Sequence, residues 1–326
     1  MQGNPHPGVR YTAAHMATDV TRGDLAPDLW SDWLHHRRHG GDPAYEAIVR
    51  RMVQDYADRV LDEAGLFPGM VLADVGAGDG LVAFRAIERL GGAVRVVLTD
   101  ISASLLARAR AAAATRQVEG SCTFLECSGE HLAAIGDATL DAVTARSSIA
   151  YMADKKAAFA EFHRVLKPGG KLSIAEPILQ DEAFAARALR QRVLTPSGTS
   201  ADRFMELLHR CKAAQFPDTE QALADSPLVN FSERDLLGFA GRAGFADLHL
   251  RLHIDVTGPL STSWNTFLET SPHPWALPLS VILEGRFTPD ERQLFESVMR
   301  PVVESGANQN IDRIAFLHAT KPRGKS

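Results

Sequence analysis

"VLADVGAGDGLVAF", residues 71–84, runs from apolar through three glycines, Gly76, Gly78 and Gly80, and back to apolar. Glycine in quantity costs backbone entropy, so this cluster marks a place where bare backbone is needed. An apolar run that ends in such a loop and leads into a helical pattern is the unit from which parallel sheets are built. In an open parallel sheet, ligands bind beyond the carboxyl ends of the strands, where helix N-termini direct free N–H groups.

Working outward, the same alternation continues. The pattern predicts further strands at 93–100, 122–127, 140–146 and 171–176. Helices are expected at about 80–90, through the alanine-rich 107–116, and at 154–166. After 176 the rhythm breaks. Residues 177–231 read as helical without a strand. A helix at 232–245 opens with a capping pair, Ser232 and Asp235. A clean alternation at 247–256 is a sixth strand, 257–310 a second helical insertion, and 313–320 a seventh strand. Upstream, Trp30, Trp33 and Leu34 form one apolar stripe. "RRHGGDP" (37–43) breaks it, and Asp42–Pro43 opens a helix over 43–64. The expected organisation is an N-terminal helical cap (1–69), a ligand-binding core (70–176), a helical lid insertion (177–231) and a C-terminal part of the core (232–326) interrupted at 257–310. The fold class is α/β: a doubly wound, mostly parallel, Rossmann-like sheet of seven strands with helical lid insertions.

Composition narrows the function. The chain has 326 residues, 45% hydrophobic and 23% charged, which suits a globular protein of one large domain or two modest ones. A net charge of -5 with no basic stripe argues against nucleic acid as a partner. Cys122, Cys127 and Cys211 form no CxxC pair, which suggests a reducing compartment. The opening "MQGNPHPGVRYTAAH" lacks the apolar core of a secretion signal, and no apolar run reaches the roughly 18 residues that span a bilayer. A cytoplasmic protein without membrane association is expected; the oligomeric state is left open.

The glycine spacing chooses between ligands. A dinucleotide loop has G-x-G-x-x-G, whereas here the third glycine comes one residue early. Asp74 before the loop would repel a pyrophosphate but favours a cationic, amino-bearing ligand. S-adenosylmethionine (SAM), with its sulfonium and ammonium, fits better than NAD.

With these residues in place, the sequence resembles class I SAM-dependent methyltransferases, closely over 70–180 and in topology over 232–320. "DVGAGDG" resembles their first motif, with Asp74, Gly76, Gly78 and Gly80 as cofactor-binding candidates. Asp100 in "LTDIS" resembles the acid that accepts from the ribose hydroxyls, with Ile101 beside it. "CSGEHL" (127–132) lies where the family often has "GDAExL", so Ser128 and Gly129 are adenine-side candidates, with serine in place of an acid. "LDAVTARSSIAYM" and "EFHRVLKPGGKLSIAEP" resemble the fourth and post-motif segments, the latter characteristic of the small-molecule enzymes. A narrower bacterial group sharing the "WLHHRRHGGDP" segment is also similar, and implies no substrate. The resemblance implies an antiparallel last strand, SAM as cofactor, S-adenosylhomocysteine as product and a small-molecule acceptor. A SAM-fold protein that rearranges or merely binds its ligand is the rival reading.

Methyl transfer needs alignment and exclusion of water more than covalent help, and a base only where the acceptor must lose a proton. Three residues are catalytic candidates. Tyr151, after the fourth strand, either orients an acceptor or is a plain wall. His39, next to Arg38 in the glycine-broken segment, either serves as a base or is solvated linker. Glu176, ending the fifth strand, either binds an acceptor or caps the next turn. Arg146, placed with the cofactor candidates, either meets the SAM carboxylate or an anionic substrate, or makes a salt bridge near the sheet edge. His249 and His253 fall on a strand rather than a helix, and no metal site is expected. Trp264, Phe267 and Trp275 either line an aromatic pocket or form the insertion's own core. The insertions and the cap are expected to rise over one edge of the sheet and enclose it.

Overall fold

The computed structural model describes residues 27–199, 201–257, 262–307 and 310–324. The polar N-terminal stretch behind the compartment reading lies outside the described residues.

Seven strands form one sheet: β1 (Val71–Val75), β2 (Arg95–Asp100), β3 (Cys122–Glu126), β4 (Leu140–Arg146), β5 (Leu166–Pro177), β6 (Ala246–Thr257) and β7 (Asn310–Thr320). Their order is β3-β2-β1-β4-β5-β7-β6. Pairings among β1 to β5 are parallel, and β7 runs antiparallel to both β5 and β6. β6 is therefore parallel to β5, and both end on the edge where β1 enters the glycine loop. Leu72, Ala73 and Val75 of β1 are fully buried, as expected of a strand covered on both faces.

On one face α2 (Pro43–Ala64), α3 (Leu81–Arg89) and α4 (Ala103–Thr115) close a core around Val60, Leu61, Leu72 and Val96. On the other, α5 (Lys155–Val165) and α9 (Glu233–Ala243) pack Phe159, Phe162 and Leu236 against β4 and β5. The first insertion contributes α6 (Gln180–Leu194), α7 (Ala201–Gln215) and α8 (Glu220–Asp225), the second α10 (Trp264–Glu269), α11 (Leu279–Arg286) and α12 (Pro289–Ser305). The two insertions share a separate small core of Leu207, Cys211, Trp264, Ile282 and Phe295. Trp264 and Phe267 stack at 5.4 Å in that core, so neither is a pocket aromatic.

The local signals hold where the cap chemistry is explicit. Asp42 accepts from the Ala44 and Tyr45 amides with Pro43 behind it, and Ser232 and Asp235 form a reciprocal capping box. Two details differ from the sequence reading. The "KPGG" turn lies within the span of β5, which pairs Leu140 with Leu166 and then jumps to Ala142 with Lys171, so the turn bulges out of the ladder. The N-terminal apolar stripe is a short α1 (Leu29–Asp32) that widens into a π-helical turn over Trp33–Arg37, closed by the Arg38 amide on the Trp33 carbonyl at 2.8 Å. The wider turn lets two side chains reach the second insertion. Trp33 Nε1 donates to the Ser271 carbonyl at 2.9 Å, and Arg37 donates to the Ala276 and Pro274 carbonyls at 2.9 and 3.1 Å. Thr266 Oγ1 donates to Asp42 at 2.8 Å, on the same seam.

Candidate cofactor and acceptor site

The glycine loop is held by contacts that exclude side chains. A Cβ on Gly76, whose φ is +69°, would lie 2.3 Å from the Ser148 Cβ. Gly80, at φ +92°, caps α3 against the Phe84 ring. Over Gly78 there is room: the nearest atom to its would-be Cβ is Leu34 Cδ2, 3.7 Å away on the π turn. The N-terminal cap thus lies directly above the loop.

Asp100 ends β2 and accepts the Gly78 amide on one carboxylate oxygen and the Ser102 amide on the other, at 2.8 and 2.9 Å. Each oxygen keeps acceptor capacity for a hydroxyl pair. Burial raises its carboxyl above the ordinary range, against the pull of those two amides. Ile101 beside it is an exposed apolar side chain. Asp28, which the sequence reading passed over, accepts from Ser102 Oγ at 2.6 Å and caps α1, pinning the cap to this end of the sheet. Its only sequence signal is an acid before the Trp30 stripe.

Asp74 is buried under the loop. Thr144 Oγ1 donates to Oδ1 at 3.2 Å, while Oδ2 has no partner. Burial pushes its carboxyl up to about 7, although Thr144 and Arg146 pull the other way. A buried carboxyl with one oxygen unpartnered among the described residues, beneath bare backbone, suits an ammonium or hydroxyl donor.

Ser128 is bonded within its own loop. Its hydroxyl donates to Glu130 at 2.9 Å and accepts the Glu130 amide at 3.2 Å. The hydroxyl proton is used locally, and one acceptor lone pair remains on the oxygen. Gly129 packs so tightly that a Cβ would fall 2.5 Å from Met152 Cε and 2.7 Å from Val75 Cγ1.

Glu176 also takes the structural alternative. Its carboxylate accepts the Ser148 and Ala150 amides at 3.1 and 2.8 Å, capping the 3₁₀ turn Ile149–Tyr151. It is fully buried, and burial pushes it up to about 7. Glu176 therefore positions the turn. His39 is buried, not solvated linker, with Nε2 3.9 Å from Glu46 in the first turn of α2 and Nδ1 without a partner among the described residues. It is Arg38 of the same segment that acts on Tyr151 and Arg146. Burial holds the His35 imidazole below its ordinary range, against the pull of Asp79 of the glycine loop.

Tyr151 stands where three segments meet. Its ring lies edge-on to Trp30 of the cap at 5.1 Å and to Trp275 of the second insertion at 5.4 Å, and the two tryptophans approach to 6.0 Å. Burial, with Glu176 nearby, raises its phenol well above the ordinary range. The phenol stays protonated and can donate but not act as a base. Arg146 ends β4, with Nε buried and unpartnered, and is followed by Ser147 at φ +53°. A non-glycine residue in that region stores strain at the mouth of the site.

The buried carboxyls predict a pH signature. A carboxyl raised in the native state binds a proton that the unfolded chain has lost, so its contribution to stability falls as pH climbs from about 4 to about 7. His273, held down to about 4 by burial, acts in the opposite sense across that window. The clean measurement is therefore a difference. The stability of the wild type relative to Asp74→Asn is expected to fall by roughly 2–4 kcal/mol between pH 4 and pH 8. Urea unfolding at several pH values checks this, and a constant difference would refute the buried, raised Asp74.

Among the described residues, no group of three or more His, Cys, Asp or Glu is arranged to hold a metal, and no helix is long and apolar enough to cross a membrane. His249 stacks on His318 at 4.6 Å, and His253 meets Arg59 at 2.8 Å.

Comparison with known proteins agrees with this geometry. A methyltransferase domain family matches residues 73–174. The ubiquinone/menaquinone biosynthesis C-methyltransferase UbiE of Xanthomonas campestris is 30% identical over 269 residues, covering 76% of this chain and 91% of that one. The enzyme of the same name from Cellvibrio japonicus is 30% identical over 187 residues, covering 57% and 71%. In fold, the YcgJ protein of Bacillus subtilis superposes with a TM-score of 0.51 at 15% identity, over 83% of this chain and 99% of that one. With the glycine loop, the acid-terminated second strand and the antiparallel seventh strand all in place, the chain belongs to the class I SAM-dependent methyltransferases, whose cofactor is SAM.

Proposed function

We propose that the protein methylates a small molecule inside a site closed by its N-terminal cap and second insertion. The observation that carries this is the Trp30–Tyr151–Trp275 cluster, which joins cap, core and insertion over the end of β4. Such a wall suits a flat acceptor better than a duplex or a folded protein. The curated relatives are named as C-methyltransferases of ubiquinone/menaquinone biosynthesis, which accords with an acceptor containing a ring.

SAM supplies an electrophilic methyl group on a sulfonium. In this reading Asp100 holds the ribose hydroxyls, Gly76 and Gly78 let the backbone approach, and Asp74 sits below the amino-acid end. Ile101 and Gly129 flank the adenine, whose polar edge is left to backbone groups. Tyr151 offers its phenol O–H to the acceptor, and the aromatic wall excludes water. Asp100→Ala is expected to weaken binding of S-adenosylhomocysteine by roughly 1–3 kcal/mol, since a charged acceptor is removed. Calorimetry showing unchanged affinity would displace the ribose from Asp100. Acceptor class is tested by screening small phenols, acids and quinols with labelled SAM and reading S-adenosylhomocysteine release. Methylation only of proteins or nucleic acids would overturn the reading.

A further inference from the structure

We infer that Arg38 and Arg146 together form an oxyanion site for the acceptor, so that the molecule methylated carries a carboxylate or a phosphate. The inference rests on the enclosed small-molecule site proposed above. Arg146 arrives from the end of β4 and Arg38 from the cap, just before the Gly40–Gly41 break. Both are near enough for their charges to repel. No carboxylate makes an ion pair with either one among the described residues, whereas neighbouring Arg37 is paired with Asp32 at 2.7 Å. Arg38 rests over the Trp33 ring at 5.4 Å. Arg146 Nη1 makes one long contact, 3.4 Å to Ser147 Oγ, and its Nε makes none. Both side chains retain exposure although protein surrounds them, as groups lining an internal cleft do. Desolvation is the largest influence on each, and it holds Arg38 down to about 10.

Two converging guanidinium groups in a desolvated cleft are costly unless an anion joins them. Asp79 faces both, while Asp74 and Glu176 face Arg146. SAM carries a sulfonium, an ammonium and one carboxylate, and so adds one net positive charge. An acceptor oxyanion offsets that charge and gives the guanidinium pair its charge-assisted partner. Because Arg38 belongs to the cap, the same anion would draw the cap onto the core.

The test is calorimetry on the full chain saturated with S-adenosylhomocysteine, using benzoate, phenyl phosphate and the neutral isostere benzamide as probes. Benzoate or phenyl phosphate is expected to bind at least about tenfold more tightly than benzamide, and whichever is preferred names the anion. Arg38→Gln and Arg146→Gln are each expected to abolish that preference. They should leave the affinities for S-adenosylhomocysteine and for 5′-methylthioadenosine, which lacks the amino-acid end, within about twofold of wild type. Retained nucleoside binding shows each variant folded; should Arg146→Gln fail to fold, Arg38→Gln in the cap decides alone. No preference in wild type, or a preference that survives substitution, overturns the inference. So do variants that lose S-adenosylhomocysteine but keep 5′-methylthioadenosine, which would give the pair to the cofactor carboxylate. A wild type that ignores S-adenosylhomocysteine would instead overturn the underlying site.

Discussion

Gly76→Ala is expected to destabilise the protein by about 3 kcal/mol or more and to cut S-adenosylhomocysteine affinity by roughly a hundredfold or more. The new Cβ would sit 2.3 Å from the Ser148 Cβ, on a backbone whose φ of +69° already strains an L-residue. Ser148 cannot retreat. Its hydroxyl donates to the Val75 carbonyl at 2.9 Å and its amide to Glu176 at 3.1 Å. The loop must move instead, and with it the backbone that faces the ligand. Gly78→Ala is the control. Its φ of +58° carries the same kind of strain, but the nearest atom lies 3.7 Å away. A cost of about 1 kcal/mol is expected there. Urea unfolding of the two variants checks the contrast, and equal losses would contradict the packing described for the loop.

The second large effect concerns the cap. Gly40, at φ +58°, lies against the second insertion, where a Cβ would come 2.6 Å from the Thr266 carbonyl oxygen and 3.0 Å from Thr270 Oγ1. Gly40→Val should pry this seam open. Trp30 and Arg38 would then no longer be held against the core. Methyl transfer is expected to fall by roughly tenfold or more, because alignment and exclusion of water are lost together. The sheet and its two cores, built without Gly40, should keep their stability. Steady-state kinetics with quenching of tryptophan fluorescence by acrylamide tests this. Turnover within about twofold of wild type would show that the cap is dispensable.

The sheet was legible because its signals are local. Alternation of strand and helix, the Asp42–Pro43 start and the Ser232–Asp235 box each depend on residues within one turn, and each appears in the structure. The glycine loop was legible because its spacing and Asp74 point to one ligand chemistry. What was hidden depends on distant partners. Nothing near Trp33 or Arg37 announces carbonyls more than two hundred residues away. A stripe at i, i+3, i+4 reads as α-helix, and only those contacts explain the π turn. Choosing between His39 and Arg38 required knowing which of two adjacent side chains faces Tyr151, which period alone does not decide. Glu176 had two readings and took the structural one, because backbone amides lay within reach. Among the three insertion aromatics, Trp264 and Phe267 entered a small core while Trp275 turned to the site, a division set by tertiary packing.

Hydrogen exchange with and without S-adenosylhomocysteine tests the central claim, a cofactor edge closed over by the cap and second insertion. Ligand is predicted to slow exchange in 76–80, in 100–102 and in 128–130. It is also predicted to slow exchange in 30–42 and 263–280, where Trp33, Arg37 and Thr266 knit the cap to the insertion. Protection confined to the core loops, with 30–42 and 263–280 exchanging as in the free protein, would contradict the account.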